Sequence, residues 1–99
     1  MRLTRIYKTM DSQSGNCPAG YTTDTGTYVV QGRCTAIPTA VEVPADVAAW
    51  VREVGGHVER TESGRLLVHG RELDPQTAAQ LLERAADETA VELTGLRAG

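Results

Sequence analysis

The sequence predicts an α+β fold: a small antiparallel sheet made of two repeated hairpin–helix units, with the helices packed on one face. Three observations lead there. First, TDTGTYVVQGR (23–33) returns 38 positions later as TESGRLLVHGR (61–71), with Thr23/Thr61, Gly26/Gly64, Val30/Val68, Gly32/Gly70 and Arg33/Arg71 identical. Second, an amphipathic helical pattern follows each copy. Third, TAVEV (39–43) is nearly repeated by TAVEL (89–93), and both have the alternation and β-branched content of short strands.

Taken in order, MRLTRIYKT opens the chain as an N-terminal strand. MDSQSGNCPAG (10–20) is rich in Ser, Gly, Asn and Pro and reads as a mobile loop. In the first hairpin, Asp24-Thr25-Gly26 is a three-residue loop whose last position needs a left-handed backbone, the usual reason for a glycine there. Glu62-Ser63-Gly64 repeats the solution. The repeat is therefore a repeated bend rather than a phosphate cradle, since neither copy runs directly into a helix. Pairing Thr61 with Arg65 puts Glu59 opposite Leu67, Val58 opposite Val68 and His57 opposite His69.

After Pro44, ADVAAWVREVGG places Val47, Trp50, Val51 and Val54 on one helical stripe, with Gly55 as the stop. Trp50 reads as a core or interface anchor. A second helix starts with Asp74 as N-cap and Pro75 at the first position, carries Ala78, Leu81, Leu82 and Ala85 on one face, and ends near Asp87 or Glu88. TAVEL adds a last strand and 95–99 frays. The whole, 1–99, is one domain, too small to enclose a deep cleft without a partner.

Composition narrows function. One lysine, a net charge of −3 and a pI near 5.3 are unlike the dense basic stripe of a nucleic-acid binder, although Arg2, Arg5 and Lys8 make a basic N-terminal strand the alternative route to DNA. No apolar run is long enough to span a bilayer and no secretion signal is visible, so the chain reads as cytoplasmic and Cys17 and Cys34 as thiols. His57, His69, Cys17 and Cys34 lack the spacing of a zinc site; a thiol- or zinc-responsive switch is the second alternative. No nucleophile has a base fixed beside it, and no catalytic or cofactor motif is present, so no catalytic residue, cofactor or metal is assigned. The first hairpin carries Tyr21, Tyr28, Val29, Val30 and Gln31. Together with Trp50 these are the candidate contacts for a dimer or partner, and the two tyrosines differ in parity across the loop, so one faces inward and the other outward.

The stretch NCPAGYTTDTGTYVVQGRCT (16–35) followed by TAVEVPADV (39–47) resembles a group of small actinobacterial proteins with a CPxxYxTDxGTYVVQG core and a following VEVP or VEIP. Among developmental proteins of sporulating actinobacteria it is similar to the BldB-like regulators. The match covers roughly residues 16–47, about a third of the chain, with motif positions Cys17, Pro18, Tyr21, Thr23, Asp24, Gly26, Thr27, Tyr28, Val29, Val30, Gln31 and Gly32. Arg33 departs from the pattern, where many members carry an aromatic. The resemblance implies a non-enzymatic homodimer that regulates morphological differentiation by working with a helix-turn-helix transcription factor instead of reading DNA itself.

Overall fold

The computed structural model describes residues 1–9, 18–81 and 86–96. Along them run β1 (Leu3–Lys8), β2 (Ala19–Thr23), β3 (Tyr28–Cys34), β4 (Ala40–Glu42), α1 (Ala45–Glu53), β5 (Glu59–Arg60), β6 (Leu66–His69), β7 (Arg71–Glu72), α2 (Pro75–Ala78) and β8 (Glu88–Glu92). β2 begins at Ala19, inside the segment read from composition as a loop, and the rest of that loop, 10–17, lies outside the described residues, as do 97–99 of the expected tail. No helix among the described residues is long and apolar enough to cross a membrane.

The α+β expectation needs correcting. The molecule is mostly antiparallel sheet, and its repeat is not hairpin–helix but hairpin–strand: β2-β3-β4 in the first half, β5-β6/β7-β8 in the second. The helices occupy unequal places, α1 after the first unit's third strand and α2 before the second unit's. The pairings match across the halves. Val30 pairs with Val91 as Val68 pairs with Val41; Val29 pairs with Glu92 as Leu67 pairs with Glu42; Arg33 pairs with Glu42 as Arg71 pairs with Glu92. Tyr21↔Val29 and Thr22↔Tyr28 correspond to Glu59↔Leu67 and Arg60↔Leu66. The molecule therefore has an internal pseudo-twofold.

That symmetry closes the ladder. β3 pairs with β4, β4 with β6, β6 continues through Gly70 into β7, β7 pairs with β8, and β8 returns to β3. Four valines fill the centre, Val30, Val41, Val68 and Val91, none with any exposed surface. Burying a valine fully is worth about 1.5–3 kcal/mol relative to leaving it in water, so this ring is a principal source of cohesion. The corners are Gly32 and Gly70. A Cβ on Gly32 would meet the Glu42 carbonyl oxygen, and one on Gly70 the Glu92 carbonyl oxygen, the equivalent atom. The repeated glycines let one strand turn tightly across the next.

The two hairpin turns are also alike in atomic detail. The Thr23 N–H donates to the Thr27 carbonyl (2.9 Å) and the Thr61 N–H to the Arg65 carbonyl (2.9 Å). The Thr23 hydroxyl oxygen accepts from the Thr27 N–H (3.0 Å), and that of Thr61 from the Arg65 N–H (3.1 Å). Gly26 and Gly64 close the loops at φ 82° and 85°, as the repeated loop predicts.

α1 ends as read: Gly55 has φ 92°, its N–H reaches the Arg52 carbonyl and that of Gly56 reaches the Val51 carbonyl, a Schellman stop. It contributes Val47, Ala48, Trp50 and Val51 to the central core. α2 is far shorter than predicted. Asp74 caps it by accepting from the Thr77 N–H (3.1 Å) and hydroxyl (2.6 Å), but the Gln80 and Leu81 N–H groups already bond three residues back, the tightening of a helix end. The Gln80 side chain is drawn to the N-terminal strand, accepting from the Leu3 N–H and donating to the Met1 carbonyl. Leu82 and Ala85 lie outside the described residues, and Glu88 belongs to β8. Leu73 and Leu81 pack on a second core of Ala19, Tyr21, Val29 and Ala90. Val29 and Val30 are neighbours on β3 and point to opposite faces, so α1 and the α2 segment lie on opposite sides of the sheet, not on one face.

Candidate interaction surface

Three of the chain's four aromatic rings meet on the α1 side. Trp50 comes from the apolar stripe of α1, Tyr7 from β1 and Tyr28 from the first residue of β3. Tyr7 stacks on Trp50 with ring centroids 6.1 Å apart and planes 20° from parallel, while Tyr28 meets Trp50 edge to face at 5.8 Å and 84°. Gly20 makes the room, since a Cβ there would clash with the six-membered ring of the indole. Trp50 keeps 8% of its surface exposed, and both tyrosines are half-buried.

The hydroxyls are used differently. Tyr7 donates to Asp46 Oδ2 (2.9 Å), and the Thr9 hydroxyl donates to the same carboxylate, which ties the end of β1 to the first turn of α1. Partial burial, then the hydrogen bond to Asp46 and the negative charges of Asp46 and Glu53, hold the Tyr7 phenol above its ordinary pKa. Among the described residues the Tyr28 hydroxyl has no hydrogen-bond partner. The patch thus combines a packed aromatic cluster, a carboxylate already engaged by Tyr7 and Thr9, and the one hydroxyl of Tyr28.

The other proposed contacts lie elsewhere. Tyr21 is on the opposite face with 1% of its surface exposed, its hydroxyl donating to Gln31 Oε1 (2.7 Å), and Gln31 Nε2 donates to the buried Glu88 carboxylate (3.1 Å). Val29 is buried beside them and Val30 sits at the barrel centre. The two tyrosines do lie on opposite faces, but neither points simply outward: Tyr21 is sealed in the second core, and Tyr28, on the face of Val30, is half-buried against the central one. Tyr7 was not picked out from the sequence; its signal was the alternation Leu3, Arg5, Tyr7, the half-buried positions of β1.

His57 and His69 line one depression of about 250 Å³ with Gly55, Gly56, Leu93, Thr94 and Leu96. His69 Nε2 lies 2.6 Å from Glu59 Oε1, and both are exposed. Among the described residues no three His, Cys, Asp or Glu side chains converge to hold a metal. Cys34 is exposed and Cys17 lies outside the described residues. In β1, Arg5 is half-buried while Lys8 is exposed, so the basic residues do not form one outward row. Compared with known proteins, the chain matches no family model, no curated protein and no solved structure.

Proposed function

We propose that the chain is a non-enzymatic cytoplasmic interaction protein, a homodimer that modulates a helix-turn-helix transcription regulator, with the Tyr7–Trp50–Tyr28 patch as its contact surface. The observation that carries this is the Tyr28 ring braced against Trp50 with its hydroxyl unengaged. Rigid tyrosine and tryptophan rings bury large area at little entropic cost and keep a polar handle, the composition of interface anchors. The partner class rests on the resemblance of 16–47 to BldB-like regulators. Direct DNA reading has less support, because the split burial of Arg5 and Lys8 breaks up the basic strand.

The test is capture from extract of the source cells on immobilised protein, with bound proteins identified by mass spectrometry. Wild type and Tyr21→Phe are expected to retain a helix-turn-helix protein that Tyr28→Ala loses while remaining folded, with a lower melting temperature from the lost Trp50 contact. Capture by Tyr28→Ala equal to wild type, or no such protein on any column, would overturn the reading.

A further inference from the structure

The pseudo-twofold is broken at one edge. In the first unit the outer edge of β2 is covered by β1, with Leu3 opposite Thr23, Thr4 opposite Thr22 and Lys8 opposite Ala19. The equivalent edge in the second unit is that of β5, which His57 and Val58 lead into, and among the described residues no strand pairs with it. The chain cannot supply one locally, because α1 and its Schellman stop lead straight into this segment. Thr61 bonds to Arg65 and Glu59 pairs with Leu67, so antiparallel alternation turns the N–H and C=O groups of Arg60 outward and, carried one residue beyond β5, those of Val58 as well. These positions match Gly20 and Thr22, the residues of β2 facing β1.

We infer that this edge pairs with the same edge of a second copy, forming an antiparallel seam centred on Val58. The inference rests on the homodimeric reading above and says where the dimer forms. Three self-pairings are sterically regular, centred on Val58, Glu59 or Arg60, because directly opposed residues must share a face. Centring on Glu59 opposes two carboxylates, and centring on Arg60 opposes two guanidinium groups. Centring on Val58 opposes two valines and places His57 across from Glu59 of the partner subunit, twice over by symmetry. Glu59 already accepts His69, so its carboxylate would lie between two imidazoles, one from each subunit. No proline stands in the segment to block added ladder bonds. The seam gives each copy the strand that β1 provides in the first unit.

Sedimentation velocity of the full chain over a dilution series tests this. Wild type is expected to dimerise. Glu59→Lys, on an exposed side chain, is expected to weaken dimerisation by about tenfold, and His57→Glu combined with Glu59→Lys to recover it, since the exchanged pair puts a carboxylate and an ammonium opposite one another across the seam. Val58→Pro is expected to give a monomer with an unchanged far-ultraviolet dichroism spectrum, because it removes an outward N–H. A wild-type chain that stays monomeric would overturn both the dimeric reading and the seam. A dimer indifferent to Glu59→Lys, or not recovered by the double variant, would overturn the seam and leave dimerisation through another surface.

Discussion

The two repeated units share a backbone and differ in what covers it. In the first, β2 and the middle of β3 are covered: β1 on the edge, Trp50 on one face, Leu73 and Leu81 on the other. In the second, β5 is an exposed edge and Glu59, Arg60, His69, Arg71 and Glu72 all face solvent. Pairing, turns and corners are nevertheless the same. The geometry is therefore set by what the units have in common, the loop glycines, the central valines and the corner glycines, and not by the packing around each hairpin. Variants at paired positions test that separation.

The largest effect is expected at the corners. Gly32→Ala and Gly70→Ala each drive a methyl group into a carbonyl oxygen of the crossing strand, which cannot move without opening the ladder. Each should cost about 3 kcal/mol in urea unfolding, with Gly70 as costly as Gly32 although it lies in the more exposed unit. A loss at Gly70 below about 1 kcal/mol would mean that the second corner is flexible and the closure there loose.

Next come the central valines. Val30→Ala and Val68→Ala remove equivalent methyl groups from the same sealed centre and should each cost about 2 kcal/mol. Thermal or chemical unfolding giving one a much smaller loss would show that the barrel centre is not shared equally between the units.

Much of this architecture was legible in the sequence, at the scale of local bends. The turn chemistry at Gly26 and Gly64, the register of Glu59 against Leu67 and the stripe of α1 depend on neighbours within a few residues. The similarity of TAVEV and TAVEL was visible too. That each pairs with the other unit's hairpin as well as its own, and so closes the sheet, was not, because such pairings are set by contacts distant in the chain. The long second helix failed for a related reason: local propensity favours it, but Gln80 and Leu81 are held by β1 and the second core. At the candidate site the parity of Tyr21 and Tyr28 could be read, whereas the convergence of Tyr7, Tyr28 and Trp50 needed the glycine beneath them, whose purpose is visible only once β2 and α1 are stacked.

The two glutamates sharpen the contrast between covered and open surroundings. Glu92 is buried and accepts from the Thr27 hydroxyl (2.6 Å) and Arg71 (3.1 Å), whereas the equivalent Glu42 pairs with Arg65 at the surface (2.6 Å). Residues 27 and 65 are themselves equivalent, so one position serves both carboxylates. Glu92→Ala removes a buried carboxylate together with its bonds to Thr27 and Arg71 and should cost about 2 kcal/mol, while Glu42→Ala should cost less than about 1 kcal/mol and depend on salt. Equal losses for the two would show that the surrounding cover does not decide the worth of the repeated contact.

The smallest effect, and the most direct control, lies at the loop glycines. A Cβ built on Gly26 or Gly64 meets nothing within 4 Å, so alanine there brings no clash, and the whole cost is that of holding an L-residue at φ 82° or 85°. That cost is local and does not involve β1, Trp50 or the open edge of β5. Gly26→Ala and Gly64→Ala should therefore each lose about 1 kcal/mol and agree with one another, even though one hairpin is enclosed and the other exposed. Unfolding curves that separate them by more than about 1 kcal/mol would show that surroundings reach into the turn, and the claim that the two units share one backbone for local reasons would fail at its simplest point.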